Sequence, residues 1–142
     1  TLRRDLPDAR VEDALGFLSR HGEALRFRPL DERVALHLAC TRRNVARDGA
    51  DVTALLRRVP NLDVRELPES PGCCGAAGSH ALVFPERAGR LRAIRLRQIA
   101  EVTADRLLSS NIGCRLHLAA GLGAMAHEHP LTLLARQLET SR

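Results

Sequence analysis

The sequence predicts an α/β domain: a mostly parallel sheet of about four strands with flanking helices, and a metal site at the carboxyl ends of the strands. Short apolar runs alternate with stretches of helical periodicity along the whole chain, which is the pattern of successive βα units. The 142 residues, 44% of them hydrophobic, suffice to bury one core. Each cysteine, Cys40, the Cys73-Cys74 pair and Cys114, follows a predicted strand immediately or at short range.

The elements follow in order. A first helix is expected over Asp8–Arg20, with Val11, Ala14, Leu15 and Leu18 at helical spacing and His21-Gly22 as its end. Arg33–Ala39 is a near-continuous apolar strand, and Thr41–Asp48 after it reads as a polar turn. A helix over Ala50–Val59 precedes the turn at Pro60-Asn61. Leu62–Leu67 alternates as a strand should and leads into a loop of small residues, Pro71 to Ser79. The long helix begins at Phe84 or Pro85 and runs to Thr103, with proline in its first turn, where a missing N–H does no harm. Its arginines read as the solvated face of an amphipathic helix. Arg106–Ser110 is the next strand, and Asn111 caps or turns the chain into a helix that carries Cys114 and His117. A short strand at Ala124–His127 and a last helix at Leu131–Glu139, opened by His129-Pro130, complete the chain. There is no internal repeat or linker, so residues 1–142 are expected to form a single domain. The start at Thr1 reads as the start of a fragment of a longer polypeptide or of a processed chain.

Composition narrows the function classes. With no Trp, no Tyr and three Phe, the core is aliphatic. The net charge of +5 invites a nucleic-acid reading, but stacking on single strands needs exposed aromatics and duplex readout needs a docking motif. Neither is present, and the arginines are dispersed. No apolar run reaches the ~18 residues of a membrane span and there is no signal peptide, so a cytoplasmic chain is expected.

The tetrad Gly72-Cys73-Cys74-Gly75 is the most informative motif. Adjacent cysteines between glycines suit thiolates on a shared metal, because glycine lets the backbone pass close to a bulky inorganic centre. In a parallel sheet all carboxyl ends lie on one edge, so the four thiols are expected to converge there. His117 lies three residues after Cys114, one helical turn away on the same face, and Cys-x-x-His is a workable chelate. A disulfide framework suits a secreted protein, a thioredoxin-like role prefers Cys-x-x-Cys, and inert buried cysteines explain one thiol but not four together. Metal or cluster binding by Cys40, Cys73, Cys74, Cys114 and His117 is therefore the favoured reading, with no catalytic acid, base or flavin motif beside it.

The spacing of Cys40, 32 residues, Cys73-Cys74-Gly75, 38 residues and Cys114 resembles the cysteine-rich CCG domain of glycolate oxidase iron–sulfur subunits. The same domain recurs in lactate and glycerol-3-phosphate dehydrogenase subunits and in the heterodisulfide reductase B subunit. The resemblance covers about Val34–Leu134 and rests on His37 to Thr41, Cys73 to Ser79, Phe84-Pro85-Glu86 and Asn111 to Leu118. It implies an electron-transfer domain of a flavin-linked 2-hydroxy-acid dehydrogenase. Its partners would be a flavin-containing subunit and a quinone acceptor, with peripheral association at the cytoplasmic face of the inner membrane through those partners. The chain would be the C-terminal cysteine-rich part of a longer iron–sulfur subunit. The fullest family pattern ends in Cys-x-x-Cys and holds a noncubane [4Fe–4S] cluster in heterodisulfide reductase, whereas His117 stands at that last position here.

Three readings stay open: an electron-transfer module with a [4Fe–4S] cluster, cubane or noncubane; a catalytic noncubane-cluster domain of heterodisulfide reductase type; and a structural zinc module that docks subunits. The other candidates are weaker. His37 reads as a core or supporting residue as readily as a ligand, and His129 as a supporting hydrogen-bonding group more readily than a ligand. His127 lies toward the same edge, while His21 and His80 read as loop residues. Arg42 and Arg43 read as a solvated loop in preference to a grip on a negative cluster or a carboxylate.

Overall fold

A computed structural model describes residues 12–139. The element order is α1 (Ala14–His21), β1 (Arg33–His37), a π-helical turn (Arg42–Ala46), α2 (Gly49–Leu56), β2 (Asp63–Glu66), α3 (His80–Val83), α4 (Pro85–Val102), β3 (Arg106–Ser109), α5 (Ile112–Ala119), β4 (Ala126–Glu128) and α6 (Pro130–Gln137). The four strands form one sheet in the order β2-β1-β3-β4, parallel at every pairing. The expected α/β class and parallel sheet are therefore what the chain forms.

Alternation within the central strands divides the core. Val34 and Leu36 of β1 and Leu108 of β3 pack with Leu15, Val52, Leu55, Leu56, Leu133 and Leu134, so α1, α2 and α6 cover one face. Ala35 and Leu107 pack with Cys74, Ile99, Cys114 and Leu118, so α4 and α5 cover the other. Successive strand residues point to opposite faces. The last residues of the central strands, His37 and Ser109, therefore share the face of Ala35 and Leu107, on the cysteine side. The order of strands reverses direction between β1 and β3, and in open parallel sheets ligands bind outside the carboxyl ends at such a point.

Helix starts follow the expected chemistry. Asp13 caps α1 by accepting from the Leu15 N–H at 2.9 Å, and Asn111 caps α5 by accepting from the Cys114 N–H at 3.0 Å. Pro85 and Pro130 stand in the first turns of α4 and α6. The first helix begins at Ala14; residues 8–11 of the expected helix lie outside the described residues. The short α3 falls within a stretch assigned to no element from the sequence, and its Leu82 and Val83 remain exposed.

Two expectations about arginine are corrected. Arg95, on the helix face read as solvated, is 0% exposed. Its guanidinium donates to the Pro68 carbonyl, to Glu69 O at 3.0 Å, to Ser70 O at 3.3 Å and to Gln98 Oε1 at 2.9 Å. Arg43 adds bonds to Leu67 O at 3.3 Å and Glu69 O at 3.2 Å. The segment between β2 and the Cys73-Cys74 loop, which has no ladder partner, thus has its carbonyls satisfied by two guanidinium groups. The polar turn expected over Thr41–Asp48 contains a wide helical turn that draws Arg42 inward. Arg42 is 7% exposed, with its guanidinium 2.6 Å from Asp48 Oδ2, 2.9 Å from Asp13 Oδ2 and 3.0 Å from Ser110 Oγ. It ties α1, the turn and the end of β3 together, because a buried cation needs partners on every side.

At the opposite edge Arg106 donates to Glu32 at 2.8 and 3.0 Å and lies 3.1 Å from Glu128, which Arg136 also holds at 2.8 Å. The hydrogen bonds from Arg106 keep the Glu32 carboxyl below its ordinary 4.5. A lowered carboxyl pKa contributes stability that is fully present above the unfolded value and is lost as pH falls through the folded one. Urea midpoints followed downward from pH 5 are expected to fall more steeply for the native chain than for Glu32→Gln; parallel curves would remove this role.

Replacing Arg95 by Met removes the hydrogen bonds that the guanidinium gives to the Pro68, Glu69 and Ser70 carbonyls, and a hydrogen bond to a charged group contributes about 1.5–3 kcal/mol. Arg95→Met is expected to lower the unfolding free energy by at least ~2 kcal/mol. Arg95→Lys is expected to recover only part of it, because an ammonium cannot span three carbonyls as the planar fork does. Denaturant unfolding of the two variants checks this, and wild-type stability in Arg95→Met would contradict it.

Candidate metal centre

The site is assembled from three strand ends. Cys40 lies three residues beyond β1, in the turn that leads to Arg42. Cys73 and Cys74 lie in the loop beyond β2, and Cys114 is the third residue of α5, just beyond β3. All four cysteines are free thiols; Cys74 and Cys114 are buried, while Cys40 and Cys73 are half-buried. The site is therefore closed on the Cys74 and Cys114 side and reaches the surface beside Cys40 and Cys73.

The thiols act on one another. The Cys114 thiol hydrogen-bonds Cys74, which pulls the Cys74 pKa down; the Ala76 N–H and the charge of Arg95 add to this. The same shared bond, together with burial, pushes Cys114 up. Cys40 is raised by burial first, then by the neighbouring Cys73 and Cys74. Crowded thiols resist losing all their protons, and only a cation among them lets every one ionise. The nearest fixed cation is Arg95, whose charge is felt at Cys73, Cys74 and Cys114.

The glycines of the tetrad have a structural reason. Gly75 has φ +98°, and a Cβ there would stand 2.6 Å from the Ala88 carbonyl oxygen and 3.0 Å from Ala88 Cα. Both the backbone angle and the close approach of α4 exclude a side chain. Gly72 also has positive φ, +80°. The Gly75 N–H donates to Cys73 Sγ at 3.3 Å, so the turn itself orients that sulfur.

The histidines separate into different positions. A ring nitrogen of His37 lies with the sulfurs of Cys74 and Cys114 in a group whose members are all within 4.8 Å of one another. His37 Nδ1 is 3.1 Å from Ser109 Oγ, and its Nε2 is buried without a hydrogen-bond partner. Burial and the charges of Arg95 and Arg43 push its pKa down to about 4, which keeps the imidazole neutral and able to donate a lone pair. His117 is half-buried beside Gly75, with Nε2 3.3 Å from the Ala88 carbonyl oxygen; it does not join the group of His37, Cys74 and Cys114, and Cys40 and Cys73 also lie outside that group. His129 caps α6, its Nδ1 accepting from the Leu131 N–H at 3.0 Å. His127 is exposed, and His80 opens α3 with its ring 5.3 Å from that of Phe84. Arg42 is engaged by Asp13 and Asp48, and Arg43 faces the loop carbonyls described above.

These donors suit a soft metal or an iron–sulfur centre. Thiolate and imidazole are the ligands such centres select, and the orphaned His37 nitrogen is a feature that an aliphatic core does not require. Sequence reasoning underweighted His37 and missed Arg95. The signal for His37 was its place as the last residue of a strand whose alternation puts it with Ala35; the signal for Arg95 was its place four residues before Ile99 and seven after Ala88, on the buried stripe of the helix and opposite the exposed Arg97.

No helix among the described residues is long and apolar enough to cross a membrane. A family model described as a cysteine-rich domain, CCG, matches residues 34–119. The glycolate oxidase iron-sulfur subunit of Escherichia coli (strain K12) is 30% identical over 124 residues, which is 82% of this chain and 30% of that protein. Lactate utilization protein A 2 of Bacillus cereus (strain AH820) and lactate utilization protein A 1 of Bacillus anthracis (strain CDC 684 / NRRL 3495) are each 25% identical over 93 residues, 66% of this chain and 38% of theirs. The chain thus spans 30–38% of the length of these curated relatives. No solved structure matches it. The thiols at the three strand ends all lie within the matched residues, and the chain belongs to the cysteine-rich (CCG) domain family.

Proposed function

We propose that this chain is an iron–sulfur electron-transfer domain of a flavin-linked 2-hydroxy-acid dehydrogenase of the glycolate or lactate type. It would form one domain, the cysteine-rich part of a longer iron–sulfur subunit, receiving electrons from a flavin-containing partner and passing them toward a quinone at the cytoplasmic face of the membrane. The observation that carries this reading is the placing of four free thiols beyond three neighbouring strand ends, with two of them buried and, together with a ring nitrogen of His37, within 4.8 Å of one another. The printed names of the relatives support it: one is an iron-sulfur subunit of a glycolate oxidase and the others serve lactate utilization.

Each residue has a defined task. Cys40, Cys73, Cys74 and Cys114 supply thiolates, Cys74 and Cys114 from inside the core and the other two from the rim. Gly75 lets the loop pass close to Ala88 and its N–H donates to Cys73 Sγ, and Arg95 offsets part of the sulfurs' negative charge from a position fixed by the loop carbonyls. An iron–sulfur cluster held there supplies a one-electron store whose potential depends on net charge, hydrogen bonds and solvent exposure. The half-exposed rim at Cys40 and Cys73 gives electrons a short path to a docked partner. The buried group of one imidazole and two thiols is also of a size for a single zinc ion, which favours the structural zinc module as the second reading.

Anaerobic purification with iron, acid-labile sulfide and zinc measured per chain tests the choice. Iron and sulfide in near-equal amounts with a visible absorption band are expected; stoichiometric zinc without sulfide would replace this reading by the second. Cys74→Ser is expected to lose most of the bound metal, while Ser at a buried apolar position of similar size, such as Ala104→Ser, is expected to keep it. Full metal content in Cys40→Ser, Cys74→Ser and Cys114→Ser alike would remove the site.

A further inference from the structure

We propose that His37, through Nε2, is the nitrogen ligand of this centre, and that Ser109 holds its ring in the ligating orientation. The proposal rests on the metal-centre reading above and adds a ligand from within β1, three residues before Cys40. His37 and Ser109 stand opposite each other in the register of β1 and β3, on the two central strands and on the cysteine face. Strand alternation therefore delivers the imidazole and its hydrogen-bond partner to one place, and side-chain flexibility has little part in it.

Two observations single out Nε2 and a third places the ring beside two thiols. First, it is a buried polar atom with no partner, on a residue 1% exposed. Buried polar side-chain atoms in folded proteins nearly always have a partner, because one left alone has given up its bond to water for nothing. Second, the other ring nitrogen is engaged: Nδ1 is 3.1 Å from Ser109 Oγ, and donation from Nδ1–H leaves the lone pair on Nε2. Ligating histidines almost always use their second nitrogen this way. Third, His37, Cys74 and Cys114 each offer a ligand atom within 4.8 Å of the other two. The three ligand atoms are thus close enough to face one inorganic centre. His117 has none of these features. Its Nε2 already faces the Ala88 carbonyl oxygen, and it lies outside the group.

The consequence is chemical. A neutral imidazole in place of a thiolate removes one negative charge from the ligand set, and substitution of that kind raises the potential of an iron–sulfur centre. The domain would then hold a centre more easily reduced than an all-thiolate one.

The test uses cobalt(II) as the probe, added anaerobically to the reduced full chain of wild type, His37→Gln, His117→Gln and Ser109→Ala, each first checked for native circular dichroism. Thiolate-to-cobalt absorption reports binding, and electron–nuclear double resonance on chains carrying nitrogen-15 histidine reports a bound imidazole. The expected result is nitrogen coupling in wild type and in His117→Gln, none in His37→Gln, and affinity weakened about 10- to 100-fold in Ser109→Ala. Coupling that persists in His37→Gln, or that vanishes in His117→Gln, would overturn the assignment. Sulfur-to-cobalt absorption without nitrogen coupling in wild type would overturn it and leave the thiol centre standing, whereas absence of that absorption in all four chains would remove the metal-centre reading itself. Should His37→Gln fail to fold, unchanged affinity in Ser109→Ala together with coupling lost in His117→Gln would reject the proposal.

Discussion

The guanidinium of Arg95 is the interaction on which the site depends. It is fully buried, and among the described residues no carboxylate pairs with it. An isolated buried cation is expensive, so its charge must be met by dipoles or by anions nearby. The carbonyls of Pro68, Glu69 and Ser70 meet it on one side, and the cysteine sulfurs feel it on the other. One residue thereby fixes the loop that carries Cys73 and Cys74 and supplies a positive field where thiolates must form. Fold and site share this group, so a change in its charge alters both.

The sheet supplies the rest by geometry. Parallel strands end on one edge, and here three consecutive strand ends each deliver sulfur to that edge. The central strands end in His37 and Ser109, which alternation turns to the same face as Cys74 and Cys114. Closely packed α4 then sets the limit on the loop, since Ala88 leaves no room for a side chain at Gly75. The arrangement is rigid where the buried sulfurs lie and open at Cys40 and Cys73, which is the asymmetry an electron carrier needs: protection for the centre and access for a partner.

Much of this was legible in the sequence, for physical reasons that differ by element. β1 and β3 were evident because apolar runs buried on both faces leave a plain signature, and the gathering of thiols follows from strand ends alone. Asn111 and Pro85 announced their helix starts through capping chemistry. Arg95 lies on the same helical stripe as Ala88 and Ile99, so its burial follows from the 3.6-residue period; the loop carbonyls that receive its guanidinium have no local pattern that announces them. Arg42 was hidden in the same way, its partners Asp13 and Ser110 lying far from it in the chain. His117 was favoured on the i, i+3 rule, which states which side chains share a face but not where a ring turns; in the fold it turns to α4. The face of His37 followed from alternation with Ala35, whereas its partner Ser109 needed the register between β1 and β3, which no local pattern encodes.

The central claim is that sulfur from three strand ends holds one iron–sulfur centre at the carboxyl edge of the sheet. X-ray absorption at the metal edge of the anaerobically isolated chain tests it most directly, because the first shell counts sulfur against lighter atoms and the second reveals neighbouring iron. The account predicts an iron centre with a sulfur-dominated first shell, a minor nitrogen contribution and a clear iron–iron interaction. A shell of oxygen and nitrogen, or an isolated zinc with no metal neighbour, would contradict it.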